Sequence, residues 1–256
     1  MLNFPVDTLP IITTQTALFL DFDGTLVELA ATPNLVEMPA DVIVSLSALQ
    51  RKLDGALALV SGRSLRNLDT FTHPLRLAAA GEHGSQRRAA NGQVSTGARV
   101  DLASATDAAQ ALVLAHPALL LERKTSGISL HYRQAPELES ICMAAMQAAV
   151  KHIAGMELMH GKCVVEVKPQ AVNKGTAITD FMQEAPFAGR HSIFAGDDTT
   201  DESGFAAVQS MGGQAIKVGT GPTAARYHCA SVIDLVAWLR AAATQPLLPN
   251  LQSISA

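Results

Sequence analysis

The stretch Leu18-Phe19-Leu20-Asp21-Phe22-Asp23-Gly24-Thr25-Leu26 decides how the rest of the chain is interpreted. The apolar residues 17–20 predict a buried strand, and Asp21 and Asp23 follow at its carboxyl end. Because side chains alternate along an extended chain, the two carboxylates point the same way, and Gly24 then allows a sharp turn. Two crowded carboxylates repel each other unless a cation lies between them. The stretch therefore indicates a Mg²⁺-supported site for phosphoryl transfer, and the alternative is a solvated, Asp-rich turn.

The composition of the 256-residue chain excludes several classes of protein. Its net charge is −4 and only 16% of its residues are charged, so a general nucleic-acid binder is not expected. The cysteines Cys142, Cys163 and Cys229 show no C-x-x-C spacing, which favours reduced thiols in the cytoplasm. No Lys or Arg precedes Arg51, and no apolar run approaches the roughly 18 residues that span a bilayer. We therefore expect a cytoplasmic, monomeric protein that binds a small molecule rather than nucleic acid or a membrane.

Apolar strands that alternate with helices predict an α/β fold with a Rossmann-like parallel sheet. Such strands are continuous apolar runs because helices cover both faces of the sheet. The first part of the pattern has strands at 17–20, 56–60 and 75–80, with helices that begin at Pro39 and Ser64. The pattern resumes after Pro169 with a helix at 176–184, strands at 192–195 and 214–218, and a helix at 234–243.

The segment between these two parts follows a different pattern. It contains a helix at 103–115, a hairpin around Thr125-Ser126-Gly127, a helix at 136–153 and a hairpin around Gly161-Lys162. This order predicts an inserted α+β module with a small sheet of its own. We therefore expect a core domain formed by residues 1–88 and 169–256, and an inserted domain formed by residues 89–168.

Chemically active side chains follow the carboxyl ends of four predicted strands. The stretches are Asp21/Asp23, Ser61-Gly62-Arg63, Glu82-His83-Gly84 and Asp197/Asp198, and Lys174 lies at the start of a helix. Open α/β sheets bind ligands at this edge, so we expect these residues to meet there. Each also has an ordinary interpretation, with Ser61 as a turn cap, Lys174 as a surface cation and Asp197-Asp198 as a helix cap.

Four ordered motifs resemble those of the haloacid-dehalogenase-like (HAD) phosphatases. They are D-F-D-G-T at 21–25, S-G-R at 61–63, the lysine at 174, and G-D-D-T-T-D-E at 196–202. Four shorter motifs sharpen the resemblance to trehalose-6-phosphate phosphatases, namely G-E-H-G at 81–84, H-Y-R at 131–133, G-K-x-x-x-E-V-K-P at 161–169 and N-K-G at 173–175. The inserted segment is similar to the α+β cap of that family, so the resemblance implies a HAD-like core with a cap that recognises a sugar.

The resemblance implies catalytic roles for four side chains of the core. Asp21 would attack phosphorus and form an aspartyl-phosphate. Asp23 would protonate the departing sugar oxygen and later deprotonate the attacking water, and Thr25 would hydrogen-bond and position it. Ser61 and Lys174 would bind the remaining phosphate oxygens.

The resemblance also implies a Mg²⁺ ion at the same strand ends. Its ligands would be Asp21, Asp197 and the backbone carbonyl of Asp23, with water completing the octahedron. Asp198 and Asp201 would orient metal-bound water or the catalytic lysine rather than contact the metal.

A sugar phosphate needs donors and acceptors for its hydroxyl groups, and a closed cap is where the resemblance places them. Glu166 is the candidate acceptor, and Arg133 shares a strand face with His131. The alternative is structural, with Glu166 in a cross-strand ion pair with Lys168 or Arg133. The candidates for substrate binding are Arg63 and His83 in the core, and Lys124, Arg133, Lys162 and Glu166 in the cap.

The resemblance therefore implies a Mg²⁺-dependent phosphatase that converts trehalose 6-phosphate to trehalose and phosphate in trehalose biosynthesis. A capped phosphatase for another sugar phosphate, such as sucrose 6-phosphate, is the nearest alternative. A phosphomutase would need the cap to hold a phosphorylated intermediate for a second attack. A non-catalytic regulator that binds sugar phosphates would not need Asp21, Asp23, Lys174 and Asp197 together.

Overall fold

The computed structural model describes residues 9–30, 36–97, 100–161 and 163–248. Within this part, the strands are β1 (Thr16–Leu20), β2 (Leu57–Val60), β3 (Ala78–Gly81), β4 (Gln86–Arg88), β5 (Val94–Thr96), β6 (Leu120–Arg123), β7 (Ile128–His131), β8 (Met156–Gly161), β9 (Val164–Pro169), β10 (His191–Gly196), β11 (Gln214–Val218) and β12 (Tyr227–Cys229). The helices are α1 (Ala40–Lys52), α2 (Leu65–Thr72), α3 (Ala103–Ala115), α4 (Glu139–Val150), α5 (Lys174–Phe181), α6 (Glu202–Ser210) and α7 (Val232–Thr244). None of these described helices is long and apolar enough to cross a membrane.

The chain divides into two compact units. One consists of Met1–Ser95 and Asn173–Ala256, and the other of Thr96–Val172. The predicted joins, at 88/89 and 168/169, lie a few residues earlier along the chain. The assignment of residues 89–168 to a sugar-binding cap stays a prediction.

The first unit is built on a mixed sheet. Among the described residues its eight strands lie in the order β12-β11-β10-β1-β2-β3-β4-β5. All neighbours from β12 to β3 are parallel, and β4 runs antiparallel to β3. The chain moves outward from β1 in one direction and from β10 in the other, so the strand order reverses between them. Such a reversal opens a crevice at the carboxyl ends of the strands, which is where ligands bind in this fold class.

The centre of this sheet is apolar because helices cover it. All five residues of β1 are buried, and the ring of Phe19 stacks on that of Phe187 at 5.4 Å between centroids. Right-handed crossovers place α1 and α6 on opposite faces of the sheet. This arrangement confirms the predicted α/β fold with a largely parallel sheet.

The second unit is an α+β module. In its described part the sheet order is β6-β7-β9-β8, all antiparallel, and α3 and α4 pack on one face. Val165 and Val167 point into this apolar core. Glu166 therefore points to the other face, where it is paired in register with Ser129 on β7 and Met159 on β8.

Two predicted features differ from the structure, and two observed elements have no counterpart in the prediction. Residues 89–95 were expected in the inserted domain, but Asn91-Gly92 lies between β4 and β5, and both strands belong to the core sheet. The predicted helix 136–153 is a 3-10 turn, Pro136–Leu138, followed by α4, which ends at Val150. The strand β12 and the helix α6 were not predicted.

Candidate active site

The strand order brings the two acidic stretches of the sequence together. The Asp21 N–H donates to the carbonyl of Ala195 at 2.9 Å, which continues the β1–β10 pairing beyond the last residue of β1. Asp197 follows two residues later. The ends of β1 and β10 therefore place Asp21 and Asp197 at the point where the strand order reverses.

Lys174 connects these strand ends to the start of α5. Asn173 caps that helix by accepting the N–H of Thr176 at 2.9 Å, and Lys174 is its first residue. The lysine Nζ donates to Asp21 Oδ1 and to Asp201 Oδ1, both at 2.7 Å. The three side chains are 3%, 5% and 0% exposed. Lys174 is therefore a buried cation between two carboxylates, rather than a surface lysine.

Asp201 organises the loop that carries Asp197. Its Oδ2 accepts the backbone N–H groups of Asp197 and Asp198, each at 3.0 Å. Gly196 leaves room for this carboxylate, because a Cβ there would lie 2.2 Å from the Asp201 carboxyl carbon. Asp198 Oδ1 instead accepts the N–H of Thr200 at 2.8 Å. Both oxygens of Asp201 are thus hydrogen-bonded within the protein.

The turn after Asp21 is shaped by a close approach of Asp197. Gly24 has φ +74°, and a Cβ at this position would lie 2.2 Å from an oxygen of the Asp197 carboxylate. Thr25 follows, and its Oγ1 donates to Asp21 Oδ2 at 3.3 Å. The expectation that Thr25 positions Asp23 is therefore wrong: the turn at Gly24 brings the hydroxyl back over Asp21.

Lys217 is a functional candidate that the sequence analysis missed. It lies on β11, is 5% exposed, and its Nζ donates to the backbone carbonyl of Asp197. The sequence does indicate this candidate, because Lys217 is the only charged residue in the strand Gln214–Val218. A buried lysine in such a strand needs a partner, and here the partner is the loop that carries Asp197.

The carboxylates of this cluster lack enough positive charge around them. Burial raises the pKa of Asp21 to about 7 against the attraction of Lys174, and repulsion from Asp197 and Asp198 adds to the rise. Burial likewise raises the pKa of Asp197 to about 7, and that of Asp201 well above its usual range. Groups with such raised pKa values are stabilised in their charged form by an added cation.

The donor set fits a hard divalent cation. Carboxylate oxygens of Asp21, Asp197 and Asp201 lie within 4.8 Å of one another. With the neighbouring Asp198, the cluster has four carboxyl groups and the ammonium groups of two lysines, so its formal charge is −2 when all four are ionised. All the available ligands are oxygen atoms, which are the ligands that Mg²⁺ prefers.

Removing the buried cation tests the electrostatics of this cluster. We expect Lys174→Met to lower the free energy of unfolding by about 3–5 kcal/mol, because it leaves Asp21 and Asp201 buried without their partner. The measurement is urea unfolding in EDTA at pH 8. The exposed Lys151, changed to Met, is the control and should leave the midpoint unchanged. An equal midpoint for both variants would contradict the prediction.

The second group of predicted residues meets beside the first. Arg63 holds Asp23 through Nε to Oδ2 and Nη2 to Oδ1, both at 2.6 Å. The Arg63 N–H also donates to Ser61 Oγ at 3.2 Å, and the His83 N–H donates to the carbonyl of Ser61 at 2.9 Å. Ser61 Oγ accepts this hydrogen bond with a lone pair, and its hydroxyl group also has a proton that can be donated to an anion. The imidazole of His83 packs over Gly62, where a Cβ would come within 2.8 Å of it.

The predicted residues of the second unit fall into separate ion pairs. Lys124 Nζ donates to Glu166 Oε1 at 2.8 Å, and the two side chains are 8% and 5% exposed. Lys168 pairs with Glu157 at 2.6 Å, so the proposed alternative of a Glu166–Lys168 pair is not what the structure contains. His131 Nε2 lies 2.9 Å from Glu122 Oε2, whose pKa is held low chiefly by this contact. Arg133 is exposed beyond the end of β7, and Lys162 lies outside the described residues.

Comparison with known proteins adds an independent observation. A family model described as trehalose-phosphatase matches residues 19–232. The trehalose-6-phosphate phosphatase of Escherichia coli K12 is 43% identical over 237 residues, which cover 92% of this chain and 89% of that protein.

Solved structures agree with this match. The crystal structure of a trehalose-6-phosphate phosphatase related protein has a TM-score of 0.69 at 28% identity, covering 88% of this chain and 96% of that one. A phosphatase of the haloalkanoate (HAD) superfamily from Bacteroides thetaiotaomicron shares the fold, with a TM-score of 0.58 at 13% identity over 88% of this chain and 92% of that one.

Proposed function

The chain belongs to the trehalose-phosphatase family, and from that membership we propose how its own residues carry out the reaction. It is a phosphoric monoester hydrolase of the HAD fold that removes the phosphate of trehalose 6-phosphate, a step of trehalose biosynthesis. The observation that carries the proposal is the meeting of Asp21, Lys174 and Asp197 at the reversal of the strand order.

Asp21 is the nucleophile of the proposed reaction. Lys174 fixes its Oδ1 and Thr25 fixes its Oδ2, so the carboxylate has one orientation relative to the strand end. The bond from phosphorus to the sugar oxygen breaks as the bond from phosphorus to Asp21 forms, which gives an aspartyl-phosphate. Water then attacks this intermediate and releases phosphate.

Asp23 carries the proton in both steps. It gives a proton to the departing sugar oxygen in the first step and takes one from the attacking water in the second. Ser61 and Lys174 bind the phosphate oxygens that do not react. The N–H of Arg63 supports the serine role, since it holds Ser61 Oγ in place, and the serine hydroxyl can donate its proton to a phosphate oxygen.

Mg²⁺ is the cofactor that this donor set favours. We assign its ligands to the carboxylates of Asp21 and Asp197 and to the backbone carbonyl of Asp23. When bound, the ion shields the negative charge of Asp21 from that of the phosphate. Asp201 has the positioning role, because both of its oxygens are hydrogen-bonded to the lysine and to the loop.

Recognition of the sugar is assigned to the second unit, with Glu166 as the principal acceptor. A carboxylate that is 5% exposed and held by Lys124 at 2.8 Å is a fixed acceptor for hydroxyl groups. Lys124, Arg133 and Lys162 are the proposed donors of this unit, and His83 that of the core.

The role of Glu166 can be separated from the chemistry by the choice of substrate. We expect Glu166→Ala to lower kcat/KM for trehalose 6-phosphate by about 10–100-fold, the size of a lost charged hydrogen bond. The same variant should hydrolyse p-nitrophenyl phosphate at a rate close to that of the unchanged protein, because this substrate has no sugar. The exposed Glu137, changed to Ala, is the control. Equal losses on both substrates would return Glu166 to a structural role.

A phosphate-release screen tests the function itself. The protein is assayed with a panel of sugar phosphates, with Mg²⁺ and in EDTA. We expect trehalose 6-phosphate to be hydrolysed far faster than glucose 6-phosphate or sucrose 6-phosphate, and only when Mg²⁺ is present. A preference for sucrose 6-phosphate would contradict the assigned substrate. Binding without release of phosphate would contradict the assigned reaction.

A further inference from the structure

Arg63 faces a carboxylate of the protein itself. Its guanidinium makes two parallel hydrogen bonds to Asp23, from Nε to Oδ2 and from Nη2 to Oδ1, both at 2.6 Å. A pair of parallel hydrogen bonds fixes the plane of the carboxylate as well as its distance from the guanidinium group. The sequence analysis had assigned Arg63 to phosphate or sugar binding.

The arginine is itself held in place from several sides. Its Cζ lies 4.7 Å from the ring centroid of Phe71 and 5.3 Å from that of Phe22. Its backbone carbonyl accepts the N–H of Glu82 at 2.8 Å, and its side chain is 8% exposed. The Asp23 side chain is 32% exposed, so the better-buried partner is the arginine. The guanidinium is therefore the fixed part of the pair, and the carboxylate is the part that it orients.

Orientation matters for a carboxylate that transfers a proton. Free rotation about two side-chain bonds would spread the Asp23 oxygens over many positions, and a misplacement of about 1 Å can cost about 100-fold in rate. Two fixed hydrogen bonds limit this freedom. Each carboxylate oxygen has a second lone pair, so both bonds to Arg63 leave a lone pair that can face the substrate.

We propose that Arg63 is a positioning residue for proton transfer, which aligns the carboxyl group of Asp23 with the oxygen that leaves phosphorus. The inference rests on the proposed function, since it requires Asp23 to be the acid. It gives the arginine of the S-G-R motif a task distinct from that of Ser61 two residues earlier, which binds the phosphate.

The test uses leaving groups that differ in their need for a proton. The departing oxygen of phenyl phosphate needs a proton, whereas that of p-nitrophenyl phosphate leaves readily without one, and neither substrate carries a sugar. The value of kcat/KM reports the transfer to Asp21 alone. We measure it at saturating Mg²⁺ for two variants. Arg63→Lys keeps the charge but loses the paired hydrogen bonds, and Arg63→Met keeps an apolar side chain against the rings of Phe22 and Phe71.

We expect kcat/KM of both variants to fall by about 100-fold on phenyl phosphate and by less than about 5-fold on p-nitrophenyl phosphate. Arg66 lies three residues further on and is exposed, so Arg66→Met should change neither value. Arg63→Lys carries the test if the methionine variant does not fold, which circular dichroism checks. Equal losses on both substrates would overturn the inference and leave Arg63 with a structural role.

Asp23→Asn, assayed in parallel, separates this inference from the proposed function. Suppose that the loss of kcat/KM in Asp23→Asn depends on the leaving group, and the loss in the two Arg63 variants does not. Then only the inference about Arg63 is wrong. If the loss of Asp23→Asn is the same on both substrates, the acid role of Asp23 is wrong, and the inference fails with it.

Discussion

Asp21→Asn should abolish phosphate release from trehalose 6-phosphate, with a loss in kcat of about 10⁴-fold or more. An amide is a poor nucleophile and brings no negative charge, so the first displacement cannot begin. The protein should remain folded, because the amide fills nearly the same volume and removes a buried carboxylate whose pKa is raised to about 7 by burial. The measurements are steady-state phosphate release and thermal unfolding.

The matched control for this variant is Asp180→Asn, at an exposed position near the end of α5. It should retain full activity. Substantial release of phosphate by Asp21→Asn would refute the assignment of the nucleophile. A second readout follows phosphate on the protein: the mass of an acid-quenched reaction should show a phosphorylated form for the unchanged protein and none for Asp21→Asn.

Asp23→Asn should lower kcat for trehalose 6-phosphate by about 10²–10⁴-fold, the usual contribution of general acid–base catalysis. With p-nitrophenyl phosphate the variant should behave differently. The first step needs no proton, so we expect a burst of about one p-nitrophenol per active site. Turnover should then stall, because the amide cannot take a proton from the attacking water.

Rapid-mixing absorbance measures the burst, and acid quenching followed by mass determination identifies the trapped phosphoenzyme. Unchanged steady-state turnover on both substrates would contradict the role of Asp23. A slow steady rate without a burst would place its effect in the first step alone. Asp180→Asn again serves as the control.

The core fold and the meeting of its candidate site residues could largely be predicted from the sequence, because both depend on local patterns. The apolar run before Asp21 has the composition of a buried strand, and the other strands of the sheet show the same pattern. Residues at strand ends then meet through topology alone. This is why Asp21, Lys174 and Asp197 could be placed together before their contacts were known.

The partners of individual side chains could not be predicted in the same way. Thr25 was expected to contact Asp23, but the turn at Gly24 directs it to Asp21. Arg63 hydrogen-bonds to Asp23, a contact that was not predicted, and its predicted contact with substrate stays a prediction. Both outcomes depend on backbone angles and side-chain rotamers, which no sequence pattern specifies.

Contacts between strands that are distant in the sequence could not be predicted either. Glu166 pairs with Lys124, which lies on the far side of β7 from β9, and not with Lys168 on its own strand. Predicting this pair requires the order of the strands in the small sheet. The short strand β12 was missed because its three residues, Tyr-His-Cys, lack a continuous apolar run. The helix α6 was not predicted as an element, because it begins inside the G-D-D-T-T-D-E motif, although a helix cap at Asp197-Asp198 was one interpretation of that motif.

The pairing of β1 with β10 also has a consequence for the order in which the protein is made. Thr16 lies beside His191, so the middle of the core sheet cannot close until the ribosome has produced nearly 200 residues. The unit formed by Thr96–Val172 is continuous in the chain and makes its contacts over short sequence distances. Short loops close at a lower entropic cost than long ones, so this unit can fold before β10 has been synthesised and can pair with β1. During synthesis, the edge of the apolar strand that ends at Asp21 therefore stays without its β10 neighbour until late in translation.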